Sequence, residues 1–195
     1  MEHTVSHGYG SGHHAEKPTQ ILSDEHRIIE RVLGAVEKLA ARPVGTLEPW
    51  KKAIEFIRGF ADQCHHFKEE KVLFPALEEH GIPSEGGPVG MMLMEHEEGR
   101  SYVRSMLAAL NLIETKNEAA KDSLLQSAQA YCRLLREHIQ KEDDVLFRMA
   151  DDVIPADDQK ALLAAFAQHE AEEMGAGVHE KYLALVRELE SEIGR

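Results

Sequence analysis

The side chains able to do chemistry lie in one ten-residue stretch and its copy. His65-His66-Phe67-Lys68-Glu69-Glu70-Lys71-Val72-Leu73-Phe74 returns, seventy-three residues on, as His138-Ile139-Gln140-Lys141-Glu142-Asp143-Asp144-Val145-Leu146-Phe147. The two share His, Lys, Glu, an acid, Val, Leu and Phe at identical spacings. A His and a Glu four residues apart lie on one face of an α-helix, one turn above the other. Val and Leu, seven and eight residues after each His, continue that face and predict that it turns inward. An imidazole and a carboxylate buried without partners cost several kcal/mol, and a shared metal centre removes that cost. A second echo supports the first: Asp24-Glu25-His26 and Met94-Glu95-His96 each supply one more His.

The candidate ligands are therefore His26, His65, Glu69, His96, His138 and Glu142. Four imidazoles and two carboxylates exceed the four ligands of a tetrahedral zinc. They suit two metal ions, each with two His, bridged by the two Glu. Imidazole with carboxylate suits Fe, Zn or Mn, and the scarcity of thiolate, two cysteines in all, argues against an iron–sulfur cluster. On octahedral counting, a bridged pair leaves about one open position per ion, where O2, NO or peroxide could bind.

Long helices must position these groups. Apolar residues at spacings of three and four predict helix A over about 19–41 and helix B from about Glu48 to before Gly81. The same spacing predicts helix C over about 89–114 and helix D from about Asn117 to Pro155. A fifth helix, about 156–193, is amphipathic in its later half. His26 and His96 fall on the apolar stripes of A and C. Short connections imply antiparallel neighbours, hence an all-α, up-down antiparallel four-helix bundle over 18–155 with an additional C-terminal helix, 156–195, packed on it. Residues 1–17 read as a disordered His/Gly-rich tail. Helices A–B and C–D look like two copies of one hairpin, which brings all six groups to one level.

Thirty-five acids against twenty-two bases give a formal charge of −13. That argues against nucleic acid or an anionic membrane as partner, because both need a basic face. No apolar run is long enough to span a bilayer, the first sixteen residues lack the apolar core of a secretory signal, and Cys64 and Cys132 form no disulfide framework. The expected compartment is the cytoplasm. A protein partner is not indicated.

Glu25-His26-Arg27, His65 through Pro75, Glu95 through Arg100 and His138 through Phe147 together resemble the hemerythrin-like (HHE cation-binding) family, over about residues 20–155. The resemblance implies a non-haem di-iron centre in a four-helix bundle, with the six residues above as its ligands. Its oxygen carriers have a further His where this chain has Met92, and their second carboxylate follows its His by five residues, where this chain has Asp143. The pattern is closer to bacterial di-iron proteins that handle nitrosative stress and repair iron–sulfur clusters, although their short Cys-bearing N-terminal domain is not found here. The expected function is a di-iron protein binding O2, NO or iron in sensing or stress response. The alternatives are a di-iron oxidoreductase acting on peroxide or NO, a repair protein, and a bundle with structural metals.

His66 and Glu70 are also four apart, but the internal repeat favours His65 and Glu69. His66 then lies about 100° around the helix, as a fifth ligand, a group behind the ligands or a solvated neighbour. Met91, Met92, Met94 and Met106 read as core filler, and Cys64 and Cys132 as small buried residues. Tyr102 and Tyr131 are expected to pack. His80, His169 and His179 look solvated or at loop edges, and the acidic run Glu170 to Glu173 reads as a wet helix face.

Overall fold

The computed structural model describes residues 17–175 and 177–194; the tail expected at 1–17 lies outside the described residues except for Lys17. Helix α1 is Pro18–Ala40, with proline in the first turn, where its missing N–H costs nothing. The second rod starts as α2 (Glu48–Phe56), passes through π-helical Ile57–His66 and Glu69–Leu73, and ends as α3 (Phe74–Glu79). Helix α4 is Pro88–Glu114. Helix α5 (Ala120–Lys141) continues through a π-helical turn, Glu142–Leu146, into α6 (Phe147–Val153). Among the described residues there is no strand, and no helix is long and apolar enough to cross a membrane.

The expected fifth helix is two. Helix α7 (Ala156–His169) and its π-helical extension Glu170–Met174 stop at Gly175 (φ +83°), and α8 (Val178–Ile193) starts after Gly177 (φ +82°). Two left-handed glycines so close together end one helix and redirect the next. Helix α8 packs on α1 and α2, and α7 packs on α1 and the Glu69–Leu73 turn. At Gly59 a side chain is excluded outright, because a Cβ there would lie 1.6 Å from the Tyr182 hydroxyl on α8.

The π-helical turns correct the inward face. Phe74 and Phe147 donate their backbone N–H groups to the carbonyls of Glu69 and Glu142, five residues back rather than four. Each such turn takes up one extra residue and shifts everything after it around the helix axis. Leu73, Phe74, Leu146 and Phe147 are therefore buried, while Val145, expected inward, is 52% exposed and Val72 is only half-buried.

The apolar core is divided. One cluster includes Ile29, Leu33, Trp50, Phe56, Phe60, Met106, Leu124, Leu135 and Ile139. The other includes Leu22, Leu73, Phe74, Leu77, Met92, Leu146, Phe147 and Phe166. His26 lies between Leu22 and Ile29 on α1, and His96 between Met92 and Val103 on α4, so a polar layer separates two dry ones. Met92 and Met106 are buried filler as expected. Met91 and Met94 are not, because they sit on an uncovered side of α4.

Candidate metal centre

All six sequence-derived candidates meet in this layer, and all are buried. Ligand atoms of His26, His65, Glu69 and Glu142 lie within 4.8 Å of one another, and so do those of His66, Glu69, His96 and His138. Glu69 belongs to both groups. Its two oxygens face His65 Nε2 at 3.3 Å and His96 Nε2 at 3.4 Å. Glu142 Oε2 faces His26 Nε2 at 3.3 Å and His138 Nε2 at 3.2 Å. Each carboxylate thus spans the two groups. Among the described residues no Lys or Arg pairs with either of them.

Behind each imidazole stands a carboxylate that the sequence reading missed. His26 Nδ1 meets Asp143 at 2.9 Å, His65 Nδ1 meets Glu25 at 2.9 Å, His96 Nδ1 meets Glu70 at 2.8 Å and His138 Nδ1 meets Glu95 at 2.9 Å. A carboxylate can only accept, so it places the ring proton on Nδ1 and leaves Nε2 as a lone pair aimed at the centre. Lys68 donates to Glu25, Lys141 to Glu95, Arg100 to Glu70 and Arg27 to Asp143. Burial works against the ionised form of Glu25, but His65 and Lys68 outweigh it and hold its carboxyl below the usual range. Glu70, Glu95 and Asp143 are held low in the same way by their imidazole and cationic partners.

The arrangement is poorly satisfied by protein groups alone. His96 Nε2 and His138 Nε2 are 3.0 Å apart, and with both Nδ1 protons committed to carboxylates, two lone pairs face each other. Both oxygens of Glu69, both of Glu142, and His26 Nε2 are buried without a hydrogen-bond partner. Unpaired buried carboxylates are among the costliest groups a core can hold. Cations at the centre remove both problems, so the donor set fits metal. Without metal, protons take over in part. Burial opposes the charge on His65 and His138, but Glu69 and Glu25 for the first, and Glu142 and Glu95 for the second, push each pKa up to about 10.

His66 and Glu70, the competing register, both have places here. Glu70 turns to His96 and Arg100 rather than to the centre. His66 stacks on His96 with ring centroids 3.9 Å apart and planes 18° from parallel, and its Nδ1 lies 3.5 Å from Asp62. Burial and the charge of the neighbouring imidazoles keep it neutral.

Other residues depart from expectation. His169 is buried, stacked on Phe67 at 3.7 Å, with Nε2 donating to the Gln63 carbonyl. As expected, His80 lies at the loop edge after α3, where it faces Asp158, and His179 is exposed. Glu170 is not simply wetted, because it receives the buried Lys68 ammonium. Cys64 and Cys132 are buried free thiols, and burial pushes each up to about 12. Tyr131 is buried, and Tyr102 donates to Glu98.

Comparison with known proteins agrees with this geometry. The family model of the hemerythrin HHE cation-binding domain matches residues 17–150. Uncharacterized proteins of Mycobacterium bovis and of two Mycobacterium tuberculosis strains are each 25% identical over 177 residues, covering 89% of this chain and 69% of theirs. No solved structure matches the chain. The chain belongs to the hemerythrin HHE cation-binding family, and its buried His/Glu clusters could hold a metal.

Proposed function

We propose that this HHE-family chain is a non-haem di-iron protein. In this reading α1, the 48–79 rod, α4 and the α5–α6 rod form an up-down antiparallel four-helix bundle around the two ions. His26 and His65 would hold one ion and His96 and His138 the other, with Glu69 and Glu142 available to both. The observation that carries the reading is the pair of facing imidazole nitrogens, His96 Nε2 and His138 Nε2, 3.0 Å apart, beside two buried carboxylates with no hydrogen-bond partner among the described residues. Iron bound here would supply a redox-active Lewis acid with a position open to O2, NO or peroxide.

The rest of the chemistry belongs to the chain. Glu25, Glu70, Glu95 and Asp143 keep the ring protons on Nδ1 and orient each Nε2. Phe147 stacks against His26 at 5.4 Å and Phe74 against His96 at 5.9 Å, so the second apolar cluster excludes water from that side. The reading favours a binder used in sensing or in oxidative or nitrosative stress over a dedicated enzyme.

Anaerobic loading with Fe(II), metal quantitation and visible spectroscopy after oxidation test the proposal. The expected result is two irons per chain and near-ultraviolet and visible bands of a bridged ferric pair. Zinc at full occupancy, with no iron uptake after its removal, would leave a structural metal site instead. Sustained turnover of peroxide or NO would move the assignment to an oxidoreductase.

A further inference from the structure

A pocket of about 260 Å³ opens between the Ile57–His66 segment and α4, with Tyr131 of α5 in its wall. Its polar lining is Asp62, His66, Arg58, Arg100 and Arg104. His66 is 5% exposed and separates this pocket from His96, on whose ring it stacks. We propose that the pocket is the entrance by which a small inorganic anion reaches the ion position at His96 and His138, with His66 at its inner end. The proposal rests on the di-metal reading above.

The internal repeat shows that the pocket is a specific departure from symmetry. Each His-x-x-x-Glu histidine is followed by one residue whose identity differs: His66 after His65, Ile139 after His138. Three residues beyond the lone histidines stand Ile29 on α1 and Gly99 on α4. Ile139 and Ile29 are buried in the larger apolar cluster. Their counterparts His66 and Gly99 line the pocket instead. A Cβ on Gly99 would already touch Leu135 at 3.5 Å and Tyr131 at 3.6 Å, so the further carbons of an isoleucine could only extend into the open space. One half of the centre is sealed with apolar side chains, and the other is left open beside an imidazole.

Charge argues for an anion. In a chain of net charge −13, this pocket gathers three guanidinium groups, two of them paired with carboxylates and one, Arg58, left over. Arg100 is committed to Asp62 at 2.8 Å and to Glu70, and Arg104 to Glu97 at 2.9 Å. Arg58 forms no ion pair among the described residues. A neutral diatomic needs no such lining. The narrow exposure of His66 limits the ligand to a few atoms.

The test uses the iron-loaded full chain and azide as the probe, followed by stopped-flow visible absorption, with iron measured on the same samples. Arg58→Glu combined with Arg104→Glu should lower the azide association rate ~10-fold or more, and high salt should shrink that difference. Leu107→Trp at the pocket wall, or Gly99→Ile, should slow association by obstruction while iron content stays at the wild-type value. His66→Ala should alter azide affinity at unchanged iron content; loss of one of two irons would make His66 a ligand and overturn its place in the entrance. Azide rates within about twofold of wild type in both the charge-reversed and the obstructed chains, at full iron content, would overturn the entrance alone. A wild-type chain that takes up no iron would overturn the di-metal reading and the entrance with it.

Discussion

Lys68 and Lys141 each stand three residues after a repeated histidine, and each reaches the glutamate that precedes the lone histidine of the paired helix, Glu25 or Glu95. Lys68 is fully buried and also holds Glu170 from the C-terminal region, whereas the side chain of Lys141 is 40% exposed. The same contrast recurs nearby. Ile21 and Val72 pack against the second apolar cluster alongside Leu162 of α7, but their counterparts Met91 and Val145 are 49% and 52% exposed. Helices α7 and α8 pack mainly on the first helical pair. Two copies of one ligand pattern thus sit in different surroundings. The ligands define the centre, and the covering helices define how rigidly each half is held.

Three pairs of substitutions probe that contrast, beginning with the groups shared by both halves. Glu69→Ala or Glu142→Ala should lower iron affinity by more than the ~100-fold upper range of a change behind the ligands, and should empty both ion positions. His169→Ala should leave iron at the wild-type amount. Metal quantitation after dialysis reads all three. Next, Lys68→Met removes the cation from a buried carboxylate and should cost about 3–5 kcal/mol in urea unfolding of the metal-free chain. The exposed counterpart Lys141→Met should cost below about 1 kcal/mol. Equal costs would mean that the C-terminal cover contributes nothing to the difference. Glu25→Gln and Glu95→Gln each weaken the hold on one imidazole and should lower iron affinity by ~10–100-fold, measured by competition with a chelator. The effect should be larger for Glu25, the more deeply buried of the two.

A further prediction concerns the effect of pH on the metal-free chain. His65 and His138 have folded-state pKa values raised to about 10 from 6.5, so the stability they contribute is complete below pH ~6.5 and is lost as pH rises toward 10. The midpoint of urea unfolding should therefore fall over that interval in the metal-free chain. Iron must displace the same protons, so its affinity should rise over the same interval. Glu25, Glu70 and Glu95 work in the opposite sense: their depressed pKa values contribute stability above pH ~4.5 that is lost on acidification. A metal-free stability that is flat between pH 6.5 and 10 would contradict the pairing of these imidazoles with Glu69 and Glu142.

Much of this was legible in the residues. Proline and glycine at 43, 45, 81 and 155 mark the ends of the long helices, and the duplicated His-x-x-x-Glu brings six side chains together as expected. The π-helical turns left no mark in the apolar spacing, so Val145 was expected on the wrong face. The carboxylates behind the imidazoles were visible as acids flanking ligand positions, but each serves a histidine on another helix. Glu25, beside His26, holds His65. Only the packing of helices shows that exchange. The break at Gly175 and Gly177 was likewise written in the sequence and was overlooked within a continuous amphipathic pattern.

Diffraction from crystals of the iron-loaded chain, with anomalous data collected at the iron edge, addresses the centre most directly. Two anomalous peaks are predicted, one beside His26 and His65 and one beside His96 and His138, with Glu69 and Glu142 spanning them. A single peak, or none, with the carboxylates turned away to protein donors would contradict the account.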